Sequence, residues 1–120
     1  MSGINKVILV GHIGKEPDFR TLPDEVCVLS FPLATSEMIS KNGLKTEQTE
    51  WHNIVMWRSL AESAARLLKK GMLVYVEGKL RTRSFEKDNL KKYTTEIIVD
   101  HYTMLGRRSD FEQETVTTTG

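Results

Sequence analysis

The 120-residue sequence has a single cysteine, three prolines and no long apolar run. One cysteine, Cys27, excludes an intramolecular disulfide and a cysteine-rich zinc site. No apolar stretch approaches the roughly 18 residues of a membrane-spanning helix, and no hydrophobic signal-peptide segment lies near Met1. These absences predict a cytoplasmic protein without a membrane partner.

Net charge is also nearly absent, since 17 basic residues stand against 16 acidic ones and leave +1. Nucleic-acid-binding domains often have a pI above about 9, whereas this sequence has a pI of about 7.9. The total hides a local excess of positive charge. Residues 66–92 carry nine Lys/Arg and three acidic residues, whereas residues 109–120 carry three acidic residues and no Lys/Arg. The distribution therefore predicts a basic surface on the body of the protein.

The pattern of apolar residues predicts one domain over residues 1–108, followed by a flexible, acidic and Thr-rich segment over residues 109–120. Five strands are predicted, over residues 7–13, 26–35, 49–57, 72–85 and 93–102. A helix is predicted between the third and fourth strands, with Ser59 as its N-cap, Glu62 completing a capping box and Gly71 at its C-terminal end. Turns are predicted at Asn42-Gly43 and around Asp88.

This element order predicts an all-β protein with one helix. A helix between the third and fourth of five strands, β-β-β-α-β-β, is the order of the five-stranded OB-fold barrel. Such barrels bind oligonucleotides or oligosaccharides with one face and its loops.

Two predicted strands carry unusual side chains on one face, because side chains alternate along a strand with a period of two. The third strand has Trp51, Asn53, Val55 and Trp57 on one face; the fourth has Lys79, Arg81, Arg83 and Phe85. Single-stranded nucleic acid binds to aromatic rings that stack on bases and to cations that neutralise phosphates. The alternative is that the tryptophans belong to the core and the cations form a solvated strand edge.

Catalytic and metal-binding constellations are not evident in the sequence. His12, His52 and His101 are spread over different strands, and no His/Cys/Asp/Glu cluster has metal-ligand spacing. No nucleophile stands with a base and oxyanion donors. We therefore expect neither an enzyme nor a bound metal or cofactor.

Several blocks in the same order are similar to the bacterial single-stranded DNA-binding protein family. They are Asn5–Gly11, Leu33–Glu37, Thr49–His52, Leu60–Glu62, Lys70-Gly71, Val74–Gly78, Leu80–Arg83 and Tyr93–Glu96. The resemblance runs from about Gly3 to Arg108. It implies a homotetramer of OB-folds that binds single-stranded DNA without sequence preference in replication, recombination and repair. It also implies a cytoplasmic, nucleoid-associated location and no catalysed reaction.

The resemblance also assigns individual residues. The family's stacking positions correspond to Trp51, Trp57 and Phe85. Its phosphate-contacting positions correspond to Lys6, Arg20, Lys79, Arg81 and Arg83.

The chain departs from the family pattern at two places. Many members have a Trp after the Ala-Thr-Ser-Glu block, where this chain has Met38-Ile39, so we expect Ile39→Trp to tighten oligo(dT) binding. Members usually end in an acidic tip with a terminal Phe that recruits replication and repair proteins. Here the last residues are Thr117 to Gly120, which fits either a truncated chain or a tail-less variant, so that recruitment is not inferred.

Two further alternatives remain at this level. The chain is also compatible with an OB-fold module whose main partner is another protein, as in primosome accessory proteins. A preference for DNA over RNA does not follow from the residues.

Overall fold

A computed structural model describes residues 2–106 of the chain as six strands and one helix. The elements are β1 (Val7–Ile13), β2 (Asp18–Thr21), β3 (Cys27–Lys41), β4 (Leu44–Trp57), α1 (Arg58–Leu67), β5 (Leu73–Lys87) and β6 (Leu90–Gly106). The predicted segment 109–120 lies outside the described residues. Within residues 2–106, no helix is long and apolar enough to cross a membrane.

Five of these strands close into a barrel. The sheet order is β1-β5-β6-β4-β3-β2, and an additional pairing of β1 with β3 joins the two sides. All pairings are antiparallel except that of β4 with β6, where Ile54 pairs with Ile97 and Val55 with Ile98. The predicted all-β OB-fold barrel is thus confirmed, and its helix lies between β4 and β5.

Closure of the barrel needs a residue without a side chain at the crossing of β1 and β3. The pairing there is short, from His12 opposite Ala34 to Ile13 opposite Leu33. A Cβ atom on Gly11 would overlap the backbone carbonyl of Ala34. Glycine at this position therefore permits the close backbone approach that joins the sheet's two ends.

The core fills the inside of the barrel with alternating strand residues. Leu29, Leu33, Ile54, Val74 and Val76 are fully buried, each 0% exposed. The helix closes one end of this core with Ala61 and Ala64. Ser63 on the helix and Tyr102 on β6 share a hydrogen bond of 2.7 Å between their hydroxyl oxygens. The second face of each strand is exposed or half-buried, apart from Val55, which is 5% exposed.

Two hairpins extend beyond the barrel as two-stranded arms. The β3–β4 arm comprises residues 35–41 and 44–50, and the β5–β6 arm comprises residues 81–87 and 90–96; in both, each strand pairs only with the other. Both arms end in two-residue turns with positive φ at both positions, Asn42-Gly43 and Asp88-Asn89. Positive φ at both positions matches the tight hairpin turn predicted from these residues.

Four details differ from the sequence-based expectations. The strands are longer than predicted where they form the arms: β3 continues to Lys41, β4 begins at Leu44, and β6 runs from Leu90 to Gly106, because polar arm residues pair with each other without an apolar signal. Strand β2 was not predicted, because its four residues are all exposed and have no apolar alternation. The helix begins one residue before Ser59, with Trp57 as N-cap and no side-chain capping bond. It ends at Leu67, and Gly71 instead donates its N–H to the carbonyl of Ile13 at 2.8 Å. The predictions of a cap at Ser59, a capping box completed by Glu62 and a cap at Gly71 were therefore wrong. The helix starts earlier because β4 runs directly into it, and Gly71 bonds to β1 instead of capping the helix.

Candidate nucleic-acid interface

The aromatic residues of β4 and the basic residues of β5 lie on the same outer face of the barrel. Directly paired strand residues place their side chains on the same side of a sheet. Val55 pairs with Ile98, and Ile98 pairs with Lys79. Alternation along each strand then adds Trp51 and Trp57 on β4 and Arg81, Arg83 and Phe85 on β5. The strand pairing thus joins the two predicted faces into one surface, hereafter the aromatic–basic face.

The three aromatic side chains on this face reach solvent. Trp51 is 62% exposed, Phe85 42% and Trp57 36%. The rings therefore do not belong to the buried core, which was the structural alternative at Trp51 and Trp57. The ring of Trp51 packs against Gly14, where a Cβ would overlap the far end of the ring. The 62% exposure of Trp51 leaves ring surface open to a ligand.

Arg20 joins the aromatic–basic face from β2. It pairs with Val28, and Val28 pairs with Trp57 on the next strand. Lys6 lies at the opposite edge, just before β1, where its ammonium nitrogen bonds Glu77 Oε2 on β5 at 2.7 Å. All five predicted cations and all three predicted rings consequently lie along the outer side of the sheet.

Three of the five cations are already paired with carboxylates. Lys6 contacts Glu77 at 2.7 Å, Arg20 contacts Asp18 at 2.8 Å, and Arg83 makes two 3.0 Å bonds to Glu96. The hydrogen bond to Glu77 raises the pKa of Lys6, and the bonds to Glu96 raise that of Arg83. Lys6 and then Tyr75 lower the pKa of Glu77 by donating hydrogen bonds to it. Among residues 2–106, Lys79 and Arg81 form no ion pair.

A shallow groove of about 310 Å³ crosses the middle of the aromatic–basic face. Its lining includes Ser30 and Pro32 of β3, Asn53 and Val55 of β4, and Glu96 of β6. Glu16, Asp18 and Lys15 complete one rim. Three carboxylates against one ammonium make this groove less favourable for a phosphate than the strand of cations beside it.

The sequence alone did not identify the carboxylates that form ion pairs with the cations, which are Glu77, Asp18 and Glu96. Glu96 is one diagonal step from Arg83 across the β5–β6 pair, and its side chain is only 12% exposed. Glu96 belongs to the Tyr93–Glu96 block that resembles the family, but its contact with Arg83 depends on the register between β5 and β6. The register of this hairpin is itself set by the Asp88-Asn89 turn, so this contact was accessible in principle from the turn position.

Comparison with known proteins places this arrangement among OB-fold proteins. A family model described as the single-strand binding protein family matches residues 4–105. The chain belongs to this family, and the resemblance drawn from its motifs is confirmed.

Individual relatives agree with this assignment. Two proteins named single-stranded DNA-binding protein, from Neisseria meningitidis serogroups A and B, are each 44% identical over 109 residues. The match covers 89% of this chain and 63% of theirs, so the chain spans less than two thirds of the length of these curated relatives.

Solved structures show the same fold. A structure of the Plasmodium falciparum SSB in complex with ssDNA matches with a TM-score of 0.81 and 32% identity, over 88% of this chain and 97% of that one. A deletion mutant of the single-stranded DNA binding protein from Thermus aquaticus matches with a TM-score of 0.78 and 31% identity, over 89% and 53%.

Proposed function

We propose that this chain binds single-stranded DNA without sequence preference, by stacking bases on Trp51, Trp57 and Phe85 and neutralising phosphates with cations. The proposed phosphate contacts are Lys6, Arg20, Lys79, Arg81 and Arg83. The observation that carries the proposal is the continuity of exposed rings and cations on one face, joined through the pairing of Val55, Ile98 and Lys79. Every base has a flat face to stack, so this chemistry tolerates any sequence.

The shape of the face favours single strands over duplex. Reading a duplex requires a helix or ribbon that enters a groove and presents side chains to base edges. The only helix within residues 2–106 packs its Ala61 and Ala64 into the barrel. In a single strand the bases are free to turn toward the rings, while the phosphates turn outward.

The groove and the cations suggest how the strand lies. The carboxylates Glu16, Asp18 and Glu96 oppose phosphates at the groove, so the bases occupy the centre. The phosphates then follow Lys79 and Arg81, the two cations without an ion pair within residues 2–106. Each phosphate neutralised releases condensed counterions, so affinity falls as salt rises.

The experiment that tests this function is a fluorescence titration with oligo(dT) at several salt concentrations. Both tryptophans lie on the proposed face, so binding should quench their emission, and duplex of equal length should quench it far less. The affinity should fall with increasing salt. Absence of quenching by oligo(dT) at low salt would refute the proposal. A parallel titration with oligo(U) measures whether RNA competes.

We propose the same role for the complete protein as the family implies: protection of single-stranded DNA in replication, recombination and repair, in the bacterial cytoplasm at the nucleoid. In this role the protein acts by binding and catalyses no reaction.

We also propose that it assembles as a homotetramer. Ile8 and Val10 on the outer face of β1 are 55% and 47% exposed, and burial against another copy would remove this apolar surface from water. Light scattering with and without oligo(dT) measures both the number of subunits and the stoichiometry.

The ion pair between Arg83 and Glu96 predicts a variant that binds DNA more tightly. Glu96→Gln removes a negative charge beside the groove and leaves the Arg83 guanidinium more available to phosphate. We expect oligo(dT) affinity to rise about two- to fivefold, the effect of one improved surface charge contact. The slope of log affinity against log salt should steepen by up to about one phosphate contact.

The matched control is Glu62→Gln on α1. Glu62 is exposed and lies on the helix, outside both faces of the β5–β6 arm. This variant changes net charge equally. Equal tightening in both variants would show a general charge effect and contradict the role of the Arg83–Glu96 pair.

The β3–β4 arm predicts where an added ring would help. Ala34 pairs with Trp51, so Ser36 and Met38 share the face of Trp51, whereas Ile39 lies on the other side of the arm. Met38 is 63% exposed. We therefore expect Met38→Trp to tighten oligo(dT) binding about fivefold or more.

Ile39→Trp provides the matched comparison, since it places the same ring one residue away on the opposite side of the arm. The family resemblance alone predicts higher oligo(dT) affinity for a Trp at position 39. The register of β3 and β4 instead predicts the higher affinity for a Trp at position 38. Tightening by Ile39→Trp without tightening by Met38→Trp would show that DNA follows the other side of this arm.

A further inference from the structure

The β5–β6 arm has two solvent-exposed faces, and only one of them belongs to the aromatic–basic face. Beyond the barrel its strands pair only with each other, and residues 81–87 and 90–93 are all exposed. Arg81, Arg83 and Phe85 lie on one face, and Leu80, Thr82 and Ser84 on the other. This reverse face has no packing partner within residues 2–106.

The reverse face carries an aromatic ring with a cation beside it. Tyr93 pairs with Ser84, so it stands on the opposite side of the arm from Phe85 at nearly the same level. Its side chain is 66% exposed, more than that of Trp51. The ammonium nitrogen of Lys91 lies 5.9 Å from the centroid of its ring. The hydroxyls of Thr82 and Thr95, 3.2 Å apart, are next along this face.

These groups repeat the chemistry of the aromatic–basic face on a smaller scale. A ring offers a surface for a base, and a cation within reach of that base's phosphate neutralises it. A tyrosine in this position also keeps its hydroxyl in water while its ring is covered. Near the tip of the arm, Lys87 and Lys92 project from the other face, whereas the reverse face carries Glu86 as the cross-strand partner of Lys91.

We propose that Tyr93 is a further stacking site for single-stranded DNA, with Lys91 as its phosphate contact. The inference rests on the proposed function, since it extends the same ligand to a second face. A strand leaving Phe85 passes around the edge of the arm and places a later base on Tyr93. The hairpin is then held between two parts of one strand, and the second site is occupied only when the strand is long enough to go around it.

The test measures oligo(dT) affinity as a function of length for wild type and for Tyr93→Ala and Tyr93→Phe. Lengths of about 4 and about 16 nucleotides span the range of site sizes of OB-folds. We expect Tyr93→Ala to weaken binding of the long oligonucleotide roughly 5- to 150-fold, the effect of one lost base stack, with much less effect on the short one. Tyr93→Phe keeps the ring and should stay within about twofold of wild type.

Ser84→Ala is the matched control, because Ser84 is the direct cross-strand neighbour of Tyr93 and is also exposed. It should leave both affinities unchanged. A direct readout comes from Tyr93→Trp in a chain that also carries Trp51→Phe and Trp57→Phe. The tryptophan introduced at position 93 is then the only one, and the long oligonucleotide should quench it.

The outcomes separate this inference from the proposed function. If wild type fails to bind oligo(dT) at all, the proposed function is wrong and this inference with it. If wild type binds but Tyr93→Ala matches it at both lengths, Tyr93 is not a stacking site while the function stands. If Tyr93→Ala changes the mass in light scattering and not the affinity, the reverse face contacts a second copy of the chain, which overturns the inference.

Discussion

Replacing Trp51 and Trp57 together with alanine is expected to weaken oligo(dT) binding by about 2–6 kcal/mol, roughly 30- to 20,000-fold. Each ring removed costs one base stack, worth about 1–3 kcal/mol. Both rings lie on the outer face, 62% and 36% exposed, and neither is part of the buried core. The loss should therefore be in DNA affinity, with little change in thermal stability.

Trp51 and Trp57 are three alternation steps apart on one face of β4, with Asn53 and Val55 between them, so their effects are not assumed to add. Single variants and the double variant form a cycle that measures their coupling. A single strand that spans both rings loses its alignment when one ring is missing. We therefore expect each single variant to lose more than half of the binding free energy that the double variant loses.

Trp51→Phe with Trp57→Phe is the conservative control, because phenylalanine keeps a stacking surface. It should recover most of the affinity lost in the double alanine variant. Leu67→Ala controls for loss of exposed apolar area away from the face, since Leu67 lies on α1 and is 43% exposed. Affinity is followed by anisotropy of labelled oligo(dT), because these variants lack the fluorescent rings. Binding within about threefold of wild type by the double alanine variant would contradict the stacking role.

Replacing Ile54 with alanine is expected to reduce the free energy of unfolding by about 2–5 kcal/mol. Ile54 is 0% exposed and pairs with Phe31 on β3 and with Ile97 on β6. It therefore lies where the two halves of the barrel meet, and the strands around it have little freedom to collapse into the space left behind. The loss includes both the transfer of the side chain and the cavity.

The measurement is urea unfolding of Ile54→Ala against wild type, supported by thermal melting, where we expect a decrease of roughly 10 °C or more. Ile4→Ala provides the same chemical change at a residue that is 95% exposed. This control should stay within about 0.5 kcal/mol of wild type. An equal loss in both variants would show that the free energy does not depend on burial at Ile54, contrary to the barrel core described above.

Local features of the chain were predictable because they depend on neighbouring residues only. The alternation of Trp51, Asn53, Val55 and Trp57 follows from the pleat of one strand, and so does that of the cations on β5. The turns at Asn42-Gly43 and Asp88-Asn89 were predictable since these residues tolerate positive φ. In contrast, β2 was missed, because a short exposed strand leaves no apolar signal; it exists because residues 18–21 pair with β3.

The sequence by itself determined which side chains share a strand face, and its ordered motifs identified the single-strand binding protein family. Only the tertiary structure decided that the aromatic face of β4 and the basic face of β5 form one surface, because the parallel pairing of Val55 with Ile98 joins strands more than 40 residues apart. The structure also shows that Arg83 is bound to Glu96, that Met38 rather than Ile39 faces the side of Trp51, and that Tyr93 lies opposite Phe85. These three contacts lie within hairpins, whose register is fixed by their turns, whereas the joining of β4 to β5 through β6 depends on how the barrel closes.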